Sequence, residues 1–462
     1  MELDVRAKDA SYGLRRAALS PLETLAQSIS GVAPTLAPFV TIPLVFTLSG
    51  NGTWLAFALA MAAIFPVAWC VGRFARYSAS PGSLYSYVAM ILPPWLAAAA
   101  AWSLLLAYVA TSAANIGGFY HYSGVMLRND TGHVAPVLLL ATIAVGIPMW
   151  IAWRDVKISA RLMLSIEIVS VTLIVIVLVL VQARHGPHGD PDQFHLRGMT
   201  GSGLREGLVL ALFSFVGFES ATALGSEARD PLKTIPRAVI LSSVLTGLFF
   251  MMCAFIEVLG LRMGRQDLGT SADPMHVLAA VGGVPLLGPL IDAGALVSMF
   301  SGTLACLTAA ARVLLLMSHN GLAHGSLGKT HARNRTPAGA IVVTGLAAFL
   351  PVAFLAAKGT SGLDVYGWLG TLATYGFVVS YGLVCFALPG YLRDHHGVVN
   401  WATTTIPWIG CAAMGFALVG NLYPVPGGAY GKLPYVYLFY LAIAIGFFVV
   451  CGKNKPHVRD EA

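Results

Sequence analysis

Long apolar runs, most about twenty residues or more, alternate with short polar stretches along the whole chain. A helix that crosses the hydrocarbon core of a bilayer needs about 20 mostly apolar residues, so this pattern predicts membrane helices. Twelve runs qualify, near residues 24–48, 53–72, 83–112, 134–152, 158–182, 204–226, 237–260, 288–317, 338–356, 364–388, 402–422 and 433–452. Strands of a membrane barrel would be about ten residues long with alternating polarity, which these runs lack. An even number of crossings leaves both termini on one side. With the N-terminus inside, 20 of the 28 Lys and Arg fall in inner segments. Basic residues gather on the cytoplasmic side, so the pattern predicts an N-in, C-in chain.

Composition agrees with this reading. Of the 462 residues 57% are hydrophobic and only 11% are charged, against about 25% charged in soluble domains. Mean hydropathy is +0.74. Soluble enzymes, nucleic-acid readers and disordered chains are thereby excluded, because so much apolar surface could not be hidden from water. The net charge of +7 follows from the basic inner loops and does not mark a nucleic-acid partner. The six cysteines sit in or beside apolar runs, with no CxxC and no adjoining His cluster. They read as small hydrophobes in helices, with no disulfide framework, metal site or cofactor. The first run is too long for a signal-peptide core, so the N-terminus is expected to be retained.

Two spans carry breaks. Span 1 reads Ser28-Ile29-Ser30-Gly31-Val32-Ala33-Pro34-Thr35, and span 6 reads Phe213-Ser214-Phe215-Val216-Gly217-Phe218-Glu219-Ser220. Proline removes a helix donor and clashes with the preceding turn, while glycine permits unusual backbone angles. Broken backbone at membrane depth is tolerated where it lines a cavity or is buried in protein. An ordinary kink would explain either break alone. The pair lies five spans apart, as expected for two five-helix repeats related by an axis in the membrane plane, with the site at the breaks. The chain then divides into 24–182, 204–388 and two terminal helices, 402–452, within one transmembrane unit over 1–462.

Ionisable groups inside the bilayer are costly and call for a cavity or a partner. Glu219 adjoins the second break, and Glu167 lies mid-way along span 5. Glu257 reads as interfacial at the outer end of span 7, and Asp292 as a charge at the start of span 8. Asn115 is placed at the end of span 3, where it could bond a ligand or bridge helices.

The block Phe215-Val216-Gly217-Phe218-Glu219, followed by Ser226-Glu227-Ala228-Arg229-Asp230-Pro231 and Ile235-Pro236-Arg237-Ala238, resembles the sixth-helix signature of the amino acid–polyamine–organocation superfamily. Pro81-Gly82-Ser83-Leu84-Tyr85-Ser86-Tyr87 resembles its turn before helix 3. Arg312 through Gly321 and Arg335-Thr336-Pro337 resemble the segments around its eighth helix. The resemblance extends over nearly the whole chain. It implies the inverted-repeat fold of the leucine-transporter type and secondary transport by alternating access. It further implies that Ser30, Gly31, Val32 and Ala33 cradle a substrate carboxylate, and that carbonyls of Phe215, Val216 and Gly217 hold an amine. By the same resemblance Phe213 is a gating aromatic, Asn115 a substrate contact, Tyr375 a residue of the outer path and Glu219 a gating or proton-sensing group.

The departures matter as well. Span 1 lacks a second glycine where Ala33 stands, and His319-Asn320-Gly321 replaces a charged Arg-Asp-Gly. Ser226-Glu227 stands for a Glu pair. Span 5 has Ser170 at the position where some proton-coupled members carry a lysine. A proton could use Glu219 or Glu167, or Ser301 with span 1 carbonyls could hold sodium.

The reading is a secondary transporter of an amino acid, proton-coupled or exchanging, in the cytoplasmic membrane of a bacterium. A polyamine or small amine, or sodium coupling, remains the alternative. The sequence leaves oligomeric state open. A channel would show rings of pore-lining polar residues, a membrane enzyme a cluster of His, Cys or carboxylates, and a primary pump a P-loop; none is present.

Overall fold

The computed structural model describes residues 12–133, 135–186, 189–271, 273–396, 400–423 and 427–451. The basic residues at 6, 8, 453, 455 and 459 that enter the charge count lie outside these. The described chain is helical, with one isolated bridge between Leu19 and Ala228. In chain order the helices are α1 (Pro21–Val32), α2 (Ile42–Ser49), α3 (Thr53–Phe74), α4 (Leu84–Ala89), α5 (Pro94–Thr131), α6 (Val137–Arg154), α7 (Val156–His185) and α8 (Pro191–Phe194). They continue as α9 (Gly201–Phe213), α10 (Pro231–Met263), α11 (Pro274–Val281), α12 (Leu287–His319), α13 (Ala338–Ala357), α14 (Gly362–His396), α15 (Trp401–Leu422) and α16 (Leu433–Cys451).

Ten stretches among the described residues are long and apolar enough to cross a membrane. Two features separate this number from the twelve runs. Residues Pro21–Phe74 form one 54-residue apolar stretch. The region of the sixth run splits into α9 and a 3-10 turn, Ser220–Leu224, so neither piece is long enough by itself.

Most of the interior is formed by α5, α12 and α14, with α12 almost wholly enclosed and α16 the most exposed. Their small residues allow this. Ala97, Ala98, Ala100, Ala101, Ala107, Ala113 and Ala114 on α5 are all buried, and Gly376 of α14 sits over the backbone of Ser103. Small residues let helices approach closely, which replaces the missing hydrophobic drive between helices in lipid.

Several sequence expectations need correction. Asn115 does not end its span; α5 runs on to Thr131, so Asn115 lies within the helix. Glu257 is fully buried within the protein, and neither carboxylate oxygen has a partner among the described residues. Arg312, counted with an inner loop, is also buried. Hydropathy along the chain cannot reveal such positions, because burial of a polar group depends on which neighbouring helix it meets.

Candidate functional site

The first break begins where α1 stops. Ser20 caps its N-terminus in a reciprocal arrangement with Glu23. At its far end Ala33 adopts left-handed angles (φ 51°) and its N–H bonds back to Ile29 and Ser30. Pro34 cannot continue the ladder. A π-helical turn, Ala37–Thr41, then leads into α2. Left-handed angles cost a residue with a Cβ about 1–2 kcal/mol. The absent second glycine therefore leaves a strained alanine at the break.

The second break follows Phe213. Gly217 has φ 95°, and a Cβ there would run into the carbonyl of Gly31. A Cβ on Gly31 would in turn lie 2.7 Å from the carbonyl oxygen of Gly217. The two breaks thus meet backbone to backbone. Cross-bonds fix the contact: Ser220 Oγ donates to the Gln27 carbonyl at 2.9 Å, and the Ala221 N–H donates to Ser28 Oγ at 3.2 Å.

A small cavity of about 20 Å³ opens beside this contact. Its wall takes Gly31, Val32 and Ala33 from the first break, Phe213, Ser214 and Val216 from the second, and Asn115 with Thr111 from α5. Leu36, Ala37 and Thr41 of the π-helical region, Phe250 of α10 and Tyr366 of α14 complete it. Among the described residues no Asp, Glu, Lys, Arg or His lines it. Both α1 and α9 end at this wall, and the π-helical turn begins there. Helix C-termini present partial negative charge and helix N-termini partial positive charge, so the gap suits a ligand carrying both signs. Asn115 Nδ2 and Ser214 Oγ on the wall are buried without a partner among the described residues, as is Ser30 Oγ behind it. Buried polar groups ordinarily have partners, because leaving one unpaired is costly.

Of the residues singled out from the sequence, Gly31, Val32, Ala33, Asn115, Phe213 and Val216 come together on the wall. Phe215 lies behind it, edge-on to Phe250 at 5.3 Å. Ser301 is buried on α12 with an unpartnered hydroxyl, next to Gly302, whose Cα faces Asn115, Ala33 and the Ser30 carbonyl. Tyr375 stands elsewhere: its hydroxyl donates to the Asn421 carbonyl at 3.3 Å and its ring stacks on Tyr437. Glu219 sits behind the break, accepting from Tyr108 at 2.7 Å and from Tyr381. The Tyr381 hydroxyl also accepts the Gly217 N–H at 3.2 Å. Glu167 accepts from Ser298 at 3.0 Å, and Ser170 donates to the Gly294 carbonyl at 3.3 Å, both between α7 and α12.

Sequence reasoning missed Thr111, Thr41, Leu36, Ala37, Ser214, Phe250 and Tyr366 as wall residues, and Tyr108 and Tyr381 as the partners of Glu219. Thr111 was legible, since it precedes Asn115 by one helical turn and shares its face. The aromatics carried no signal, because a membrane helix is apolar on every side.

Ion pairs and hydrogen bonds join the segments at both ends of the bundle. At the end nearer residue 20, the Arg312 guanidinium forks onto Glu227, Arg161 pairs with Glu23 at 2.9 Å, and Arg15 pairs with Asp155. Glu227 is the residue kept from the expected Glu pair. The departure at His319-Asn320 leaves neutral contacts: Asn320 donates to Tyr85 at 2.8 Å, and His319 packs on Tyr12. At the other end, Arg262 bonds Asp190 at 2.8 Å and Asn51 at 2.6 Å. Asp292 approaches His276 at 3.5 Å beside Asp273, which caps α11.

The model of the amino acid permease family matches residues 23–462. The chain belongs to this family. It is 30% identical over 376 residues to an uncharacterized transporter of Mycobacterium tuberculosis, covering 79% of each chain. It is 24% identical to the methylthioribose transporter of Bacillus subtilis, over 95% of this chain and 97% of that one. It is also 26% identical to a branched-chain amino acid permease of Lactococcus lactis, over 72% and 77%. The protein is an integral membrane transporter, not an enzyme.

Proposed function

We propose that this permease moves a zwitterionic amino acid with a small apolar side chain, by alternating access about the meeting point of its two broken helices. The observation that carries the proposal is the backbone contact of Gly31 with Gly217 beside a neutral cavity, where Asn115 Nδ2 and Ser214 Oγ lack partners among the described residues. A zwitterion supplies a carboxylate for helix N-termini and an ammonium for helix C-termini, with no charged side chain needed from the wall. Val32, Leu36, Val216 and Phe250 leave an apolar side chain in apolar surroundings. A polyamine would bring at least two charges to a wall that holds no carboxylate.

In this reading the chain makes twelve crossings. Spans 24–182 and 204–388 are the two inverted repeats, 402–452 adds two helices, and both termini face the cytoplasm. The cytoplasmic end then carries the Arg312–Glu227 pair. The cavity of about 20 Å³ has room for about one water, so in this reading it must widen to admit substrate. Coupling runs through Glu219, which touches the second break through Tyr381. Glu167 and Ser170, between α7 and α12, form the second place where a proton could act.

Thermal stabilisation of the purified protein, against the common amino acids and biogenic amines with and without sodium, tests the proposal. A ligand that binds only the folded state raises the melting temperature by mass action. Stabilisation by a neutral amino acid without sodium supports the reading, and uptake of that amino acid into proteoliposomes should follow an imposed proton gradient. Stabilisation by amines alone would overturn the substrate, and a requirement for sodium would overturn the coupling.

A further inference from the structure

Phe213 reaches from the end of α9 across the cavity to α14. Its ring meets Tyr366 edge-on, with centroids 6.1 Å apart, and its tip rests on Gly370, a buried position one turn further along the same helix. A Cβ at Gly370 would stand 2.6 Å from Phe213 Cζ and 3.1 and 3.2 Å from the two flanking ring carbons. Gly370 lies inside a long helix, and its carbonyl accepts the Thr374 hydroxyl at 3.0 Å. No turn or unusual backbone angle calls for glycine there. A glycine within a helix is less favourable than alanine, so the missing methyl group has to be explained by what occupies its place. Among the described residues, the three atoms nearest to that position outside its own helix all belong to the ring of Phe213.

We propose that Gly370 is the seat of a lid: the bare Cα receives the tip of the Phe213 ring and lets it close the cavity between α9 and α14. This rests on the transporter reading above and adds a positioning residue to it, one that acts through Phe213 and touches no substrate. The obstructed atoms are the far end of a side chain with two rotatable bonds. A methyl group at 370 is therefore absorbed by the ring swinging off α14, while the helix stays intact. The mouth of the cavity is then left ajar.

Closure can be read without transport. A cysteine placed at Thr111, on the cavity wall, reports access through its rate of modification by a water-soluble thiol reagent on purified full-length protein. The same protein with Thr111 retained corrects for the native cysteines. Gly370→Ala should raise the rate about tenfold, equivalent to about 1.4 kcal/mol of lost closure, with the melting temperature little changed. Phe213→Ala should raise it as well. In the Phe213→Ala background, Gly370→Ala should add nothing, because no ring remains to seat. An unchanged rate in Gly370→Ala, or the same rise whether or not Phe213 is present, would overturn the proposal. Should Gly370→Ala unfold the protein, its folding in the Phe213→Ala background keeps the seat, and failure in both backgrounds overturns it. The labelling is independent of substrate, so a lid that behaves as described in a protein that binds no amino acid would overturn the substrate reading alone.

Discussion

Replacing Gly217 by alanine separates the two broken helices with the smallest change available. Its φ of 95° costs a residue with a Cβ about 1–2 kcal/mol. The new methyl group would also meet the Gly31 carbonyl, with its carbon at 2.6 Å. Those are backbone atoms held by the hydrogen bonds of α1, so they cannot swing aside as a side chain does. Forcing an extra carbon into a packed site costs about 1–3 kcal/mol. Together the two effects come to about 2–5 kcal/mol, relieved most readily by moving the breaks apart. If about 2.7 kcal/mol of this falls on the ligand-binding arrangement, affinity drops about 100-fold. Gly359→Ala is the matched control, since Gly359 has φ 80° with nothing within 4 Å of its would-be Cβ. It should cost the backbone strain alone and leave affinity untouched. The assay is ligand-induced thermal stabilisation, with the identified amino acid titrated over several decades. Wild-type affinity in Gly217→Ala would refute the reasoning, as it would mean that the contact between the breaks is not part of the site. Gly31→Ala obstructs the same contact, so adding it to Gly217→Ala should cost less than the sum of the two singles.

Arg312→Met leaves Glu227 buried and unpaired and should destabilise the protein by about 3–5 kcal/mol, while Arg312→Met with Glu227→Met should recover most of that loss; additive melting shifts would count against a paired role. Glu219→Gln removes the exchangeable proton from the carboxyl behind the break. Proton-driven uptake should then lose its dependence on pH while the fold stays intact, and a wild-type pH profile would take Glu219 out of the coupling scheme. Asn115→Ala removes a buried donor that has no partner among the described residues, so stability should hold while substrate affinity falls by about tenfold, the effect of losing about one hydrogen bond. Unchanged binding would show that the amide faces no ligand.

Much of this protein was legible from its sequence. Apolar runs of membrane length announce helices because the bilayer leaves few other ways to satisfy a backbone. Pro34 and Gly217 marked the breaks, because each is a local property: a missing donor in one case, a permitted angle in the other. Asn115 could be singled out by polarity where polarity is costly, and Gly31, Val32, Ala33, Phe213 and Val216 through what the family resemblance implies for the segments around the breaks.

What the sequence could not express is which helix faces which. Tyr108 and Tyr381 lie 273 residues apart, yet both hydroxyls meet Glu219. The bond between Arg312 of α12 and Glu227, in the turn before α10, spans 85 positions, and counting charges put that arginine in a loop. Tyr366 and Phe250 became wall residues, and Tyr375 went to the α15–α16 side, through packing alone. In a soluble protein the alternation of polar and apolar faces tells much of this in advance. In lipid a helix is apolar all round, so one face reads like another until close packing and the pairing of buried polar atoms choose between them.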